Sequence, residues 1–149
     1  MIIDLEDRES IVYGIQVGGR RDDPKMFTTK LKVAVSDDRT NWAYVDGGDD
    51  MDTHLESGSD LQLLKFSTGP VIGRFIRIDL CGHSSQHSLR VGVLRLQSSQ
   101  SKEAIVITHD TPNEKRSYSS IHSDPWQYSR LETDDKGWHA KTADSHQCM

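Results

Sequence analysis

"FTTKLKVAVS", residues 27–36, alternates with a period of two: Leu31, Val33 and Val35 fall on one face, Lys30, Lys32 and Ala34 on the other. That is the signature of a half-buried β-strand. "RFIRIDL" (74–80) repeats it, with Ile76, Ile78 and Leu80 turned inward and Arg77 and Asp79 outward. "IVYGIQV" (11–17), "LQLLKF" (61–66), "SLRVGVLRL" (88–96) and "AIVIT" (104–108) are further short β-rich runs, punctuated by the turn clusters "SDDRTN", "DGGDDMD" and "CGHSSQH". No stretch holds a convincing helical spacing. Strands without strand–helix alternation predict an all-β antiparallel sandwich or barrel. The small, polar, aperiodic "QSSQSKE" (97–103) reads as a linker.

A chain of 149 residues suits one domain, which the reading takes as 1–149. Its formal net charge of -5 speaks against nucleic acid, because phosphate binding needs a basic face. No apolar run approaches the roughly 20 residues of a transmembrane helix, and "MIIDLEDRES" does not have the pattern of a signal peptide. The expectation is a soluble domain, intracellular or released from a longer precursor. Two cysteines, Cys81 and Cys148, permit one bridge at most and no cysteine-based zinc site.

Catalytic signatures are missing. There is no G-x-S-x-G, H-E-x-x-H or G-x-x-x-x-G-K-[ST], so the chain is expected not to be an enzyme and to need no cofactor. His139, Asp144, His146 and Cys148 lie close in sequence and read as solvated polar loop rather than as metal ligands or an activated thiol. "GGDDMD" fails the EF-hand order because its glycines precede the acids.

Three blocks, "GIQVGGRRDDPKMFTTKLKVAVSDDRTNWAYV", "PVIGRFIRIDL" and "SLRVGVL", resemble in this order the central and C-terminal parts of the discoidin family, the coagulation factor 5/8 type C domains. The family's N-terminal third is similar to "SYSSIHSDPWQYSRLETDDKGWHAKTADSHQCM", which stands here at the C-terminal end, and joining Met149 to Met1 restores a "DSHQCM-MIIDLEDRES" strand. The resemblance therefore implies a jelly-roll sandwich of circularly permuted order. Residues 1–96 would supply the central and C-terminal part, 97–103 the linker and 104–149 the N-terminal part. A cut across two tandem domains would give the same linear order. The chain departs from the family by lacking the usual cysteine pair at the natural ends, by Cys148 where Trp is common, and by Glu6 where Gly often stands.

The resemblance also implies that ligands are gripped by loops at one end: 18–29, 48–60, 81–88 and 120–129. Trp126 sits in turn chemistry between Asp124-Pro125 and Gln127-Tyr128, either displayed for stacking or folded back as a core cap. Arg20 and Arg21 offer forked donors, or form a solvated turn with their acidic neighbours. Trp42 and Trp138 are expected in the core. Arg20, Asp22 and His146 also resemble, at a slightly shorter spacing, the His…Arg-x-Asp arrangement of fucose-binding F-type lectins. The expected ligand-binding set is thus Trp126, Arg20, Arg21, Asp22, His122, Tyr128 and His146. The expected ligand is a cell-surface or extracellular glycan or glycoprotein. The alternatives are anionic phospholipid, with Met26 and Phe27 entering the membrane, and an extracellular protein. Some discoidin receptors bridge the regions of Cys81 and Cys148; a disulfide and two free buried thiols both remain open. A structural calcium ion in a loop stays open, as related lectin-like sandwiches often hold one. Extracellular or cell-surface placement follows from the resemblance alone.

Overall fold

A computed structural model of the chain describes residues 1–98, 104–118 and 138–139. Among the described residues there is no α-helix; short 3-10 turns occupy Val45–Gly48 and Asn113–Lys115. The strands form two antiparallel sheets. One contains β1 (Ile2–Asp4), β3 (Thr28–Ser36), β4 (Ala43–Tyr44), β5 (Met51–Asp52), β8 (Phe75–His83) and β11 (Arg116–Ser117). Its order is β11-β1-β8-β3-β4, with β5 also on β3. The other contains β2 (Ile11–Gly18), β6 (Leu61–Lys65), β7 (Val71–Ile72), β9 (Ser88–Ser98), β10 (Ala104–His109) and β12 (Trp138–His139). Its order is β10-β9-β2-β6, with β12 on β9 and β7 on β2.

The alternation that predicts the strands also builds the core between the sheets. Ile3, Leu31, Val33, Ile76, Ile78 and Leu80 point in from the first sheet; Val12, Ile15, Val17, Leu89, Val91 and Val93 point in from the second. Each such side chain, fully withdrawn from water, contributes about 1.5–3 kcal/mol. "MIIDL" is part of this body: β1 lies between β8 and β11, with Ile3 opposite both Ile76 and Arg116. The segment 104–118 enters both sheets, through β10 beside β9 and β11 beside β1.

Several expectations need correction. The linker read at 97–103 starts too early, because the ladder between β9 and β10 continues through Gln97 opposite Ile105 and Ser98 opposite Ala104. Ala34, assigned to the outer face, is completely buried although it points outward. It lies between Arg77 and Tyr44 in the register, and the Arg77 Nη2–H donates to the Tyr44 hydroxyl at 2.9 Å, closing over it. Only a small side chain fits under that bridge. Trp42 is not in the core either. It is half-buried outside the first sheet, its ring 4.8 Å from the Arg77 guanidinium and its Nε1–H donating to the Arg39 carbonyl. The side chain of Trp138 lies outside the described residues. "LQLLKF" does form an edge strand, but Leu61 and Leu63 face solvent at 45% and 51% exposure while Phe66 is buried. Glu6, where the family often has Gly, has a φ of 67°, the left-handed region where a side chain is strained.

Candidate functional site

Three connections meet at one end of the sandwich: 19–27 between β2 and β3, 53–60 between β5 and β6, and 84–87 between β8 and β9. Each is shaped locally by short polar side chains. Asp23 and Pro24 make a tight turn in which the Lys25 N–H donates to the Asp23 carboxylate (3.1 Å) and the Met26 N–H to the Asp23 carbonyl (3.0 Å). The Asp60 carboxylate accepts from the N–H groups of Glu56 (3.0 Å) and Ser57 (2.7 Å) and holds the second loop. The Ser84 hydroxyl accepts from the Phe27 N–H (3.2 Å), and the Ser85 hydroxyl donates to the Lys25 carbonyl (2.8 Å).

The loops are fastened to one another as well. The Gly58 N–H donates to the Pro24 carbonyl at 2.8 Å, and the backbones of Gly58 and Arg20 touch so closely that a Cβ on Gly58 would sit 2.1 Å from the Arg20 carbonyl oxygen. A Cβ on Gly19 would meet Phe27 Cβ at 2.5 Å. Beneath them lies Arg90, whose side chain is wholly buried. Its Nε–H donates to the Gly19 carbonyl at 2.6 Å and its Nη2–H to the Gly58 carbonyl at 3.2 Å. A buried guanidinium is tolerated only when its donors are satisfied, so the charge enforces the loop positions. In the sequence Arg90 sits between Leu89 and Val91 and reads as an ordinary outward-facing strand residue; no local signal marks it as the clamp.

Of the residues expected to bind ligand, Arg20, Arg21 and Asp22 stand together in the first loop. Arg20 is half-buried and paired to Asp22 through Nε (2.5 Å) and Nη2 (3.0 Å). The hydrogen bonds it donates to Asp22 hold the guanidinium pKa above its ordinary value, against the opposing effect of burial. Arg21 is half-buried and Asp22 exposed. Met26 corrects the membrane-insertion expectation: it is 7% exposed and packs under the loop, near the Arg20 Nη1 at 3.8 Å, while Phe27 is half-buried. Packing inward leaves Met26 no apolar tip to offer a membrane. His83 and His87 stack edge to face at the third loop, with centroids 4.3 Å apart. Cys81 is half-buried on β8 and disulfide-bonded. His122, Trp126, Tyr128, His146 and Cys148 lie outside the described residues.

The charge of this end is mixed. Arg20, Arg21 and Lys25 are offset by Asp22, Asp23, Glu56 and Asp60. Among the described residues, no three His, Cys, Asp or Glu side chains are grouped so as to hold a metal ion, and no helix is long and apolar enough to cross a membrane.

A second cluster, which the sequence reading missed, lies outside the first sheet. Arg77 lies over Trp42 (4.8 Å) and Tyr44 (5.3 Å), its Nε–H donates to Asp79 at 3.2 Å, and the Tyr44 hydroxyl donates to Asp79 at 3.0 Å. Its one sequence signal is the outward pair Arg77 and Asp79, two residues apart on one strand face.

The fold agrees with what known proteins show. The structure matches that of recombinant discoidin II of Dictyostelium discoideum with a TM-score of 0.58 at 20% identity, over 68% of this chain and 39% of that one. The chain thus spans well under half the length of discoidin II. Curated protein sequences give no significant match. The model of the F5/8 type C domain family matches residues 1–93, a stretch that includes β1 to β8, Arg90 and all three loops. With more than half of its length matched and the sandwich in place, the chain belongs to the F5/8 type C domain family.

Proposed function

We propose that this domain is a non-enzymatic adhesion module that binds cell-surface or extracellular glycans through the three joined loops. Domains of this family are generally ligand-binding modules, typically without enzymatic activity and commonly extracellular. The observation that carries the glycan reading is the loop end itself: a polar rim of balanced charge, preset by Arg90 and by backbone contacts through Gly58. Preset donors and acceptors favour a hydroxyl-rich neutral ligand, since little ordering entropy is lost on binding. Arg21 and the Arg20–Asp22 pair supply donors and an acceptor, and Trp126, Tyr128, His122 and His146 are proposed to complete the rim from the C-terminal segment.

Anionic phospholipid is the weaker reading. Juxtamembrane attraction gains about 1 kcal/mol per surplus Lys or Arg, and this end has no surplus. The buried Met26 removes one of the two apolar tips that reading required. A glycan array probed with the intact chain, beside pelleting on phosphatidylserine vesicles, tests the choice. Retention on glycans with no pelleting is expected; pelleting without glycan retention would reverse it. Repeating the array in EDTA tests whether a calcium ion takes part.

A further inference from the structure

We propose a second binding site, on the outer face of the first sheet, for a carboxylate-bearing sugar such as a hexuronate. It lies well away from the three loops and does not rest on the reading given to them. β3 leaves the 19–27 loop at Thr28 and ends at Ser36, eight steps of about 3.3 Å and so roughly 26 Å further on; Arg39 follows in the turn to β4.

There a cavity of about 450 Å³ is lined by Ile2, Arg39, Arg77, Asp79, Ser117 and Tyr118. The volume is in the range of small-ligand sites, roughly 300–1,000 Å³. Two guanidinium groups face one carboxylate, so the wall carries a positive surplus in a chain whose net charge is -5.

Both arginines are held flat before any ligand arrives. Arg77 rests over Trp42 and Tyr44 and uses Nε on Asp79 and Nη2 on the Tyr44 hydroxyl. Arg39 lies 5.5 Å over Phe75 and uses Nη2 on the Ser117 hydroxyl at 2.9 Å. A guanidinium has five donors, and these contacts account for only part of each set. The remainder suits a carboxylate, which planar forks recognise in bidentate fashion.

Asp79 and Ser117 make the expected ligand a sugar rather than an acidic peptide. A carboxylate in the wall repels a purely anionic ligand, but it accepts hydrogen bonds from hydroxyls beside the ligand's own charge. Tyr118 adds an aromatic wall.

The backbone points the same way. Arg39 has a φ of 64°, costly for an L-residue. It is kept there by its neighbours: the Arg39 N–H donates to the Ser36 hydroxyl (3.0 Å), and the Asp38 carboxylate accepts from the Thr40 and Asn41 N–H groups (both 2.8 Å). The surrounding turn is built to present an arginine in a conformation glycine would adopt more easily.

An NMR titration of the intact chain with methyl β-glucuronide and methyl β-glucoside tests the site. The glucuronide is expected to bind at least tenfold more tightly and to shift the Trp42 indole and Tyr118 signals. Arg39→Gly suits the positive φ, so it should fold with an unchanged or higher Tm and lose the preference for the glucuronide. Equal affinity for the two glycosides overturns the site, as does a preference that survives in Arg39→Gly or shifts confined to the 19–27, 53–60 and 84–87 loops. Tighter binding of a tetraglutamate peptide than of the glucuronide overturns the sugar and assigns the cavity to an acidic protein.

Discussion

Arg90 and Gly19 are joined by a 2.6 Å hydrogen bond from a completely buried guanidinium to a backbone carbonyl at the start of the first loop. Replacing Arg90 with Met keeps the length and removes the donors, leaving the carbonyls of Gly19 and Gly58 without that partner. Each orphaned acceptor costs about 1–3 kcal/mol. We expect Arg90→Met to lower stability by several kcal/mol in urea unfolding and to abolish glycan binding. Retained affinity in the folded fraction would show that Arg90 does not position the loops.

Gly58 gives a sharper test of the same relationship. Its Cβ would collide with backbone, not with a movable side chain, so Gly58→Ala must displace one loop from the other. The core strands are untouched by this change. The expected outcome is at least a tenfold loss of glycan affinity with a fall in Tm of a few degrees, read by array titration and thermal melting.

Glu6 holds a φ of 67° at the exit from β1. Glycine adopts this conformation without the side-chain strain, worth about 1 kcal/mol, while the exposed Lys115–Glu6 ion pair that would be lost contributes less. Glu6→Gly is therefore expected to raise stability by a few tenths to about 1 kcal/mol. A lower urea midpoint in the variant would contradict this.

Acid should destabilise the fold in two stages. Burial first, and then the nearby Arg95, hold the His109 pKa below its ordinary 6.5; the charges of Asp110, Arg116 and Glu6 act in smaller measure. The unfolded chain then binds a proton more readily, so stability falls as pH drops below 6.5 toward the folded-state value. Asp4 is held below its ordinary 3.8 by its hydrogen bonds from Arg74, and Asp38 by the N–H groups of Asn41 and Thr40. Their contribution is present above 3.8 and is lost as pH falls through the depressed values. Urea midpoints measured from pH 7.5 to 3 should show both declines, and His109→Gln should lessen the first, to which the buried Met1 ammonium with its pKa lowered to about 5 also contributes, and leave the second.

The permuted order that the resemblance implies can be tested by undoing it. A chain running 104–149 and then 1–98, joined at Met149–Met1, should fold with the same far-ultraviolet spectrum and bind the same glycans. Failure to fold would argue for a cut across tandem domains instead. In the chain as it stands, we expect peptide mapping without reductant to pair Cys81 with Cys148, and thiol reduction to lower the Tm.

How much was legible beforehand depended on the range of each interaction. Alternation in 27–36 and 74–80 marked β3 and β8 and their inward faces, because burial of one face acts residue by residue along the strand. The resemblance to the family also pointed to the 18–29 loop. It did not show that Met26 turns inward or that Arg20 is paired with Asp22, since both depend on what the fold packs beside that loop. Ala34 and Trp42 were misread, and Arg90 was passed over, for the same reason. Each looked like its local pattern, but Arg90 is buried by loops 32 and 71 residues away and Ala34 by a bridge between neighbouring strands. Local periodicity thus determined the strands and the class of fold; only the tertiary structure decided which charges are buried, which aromatics stay outside the core, and where two arginines face a common cavity.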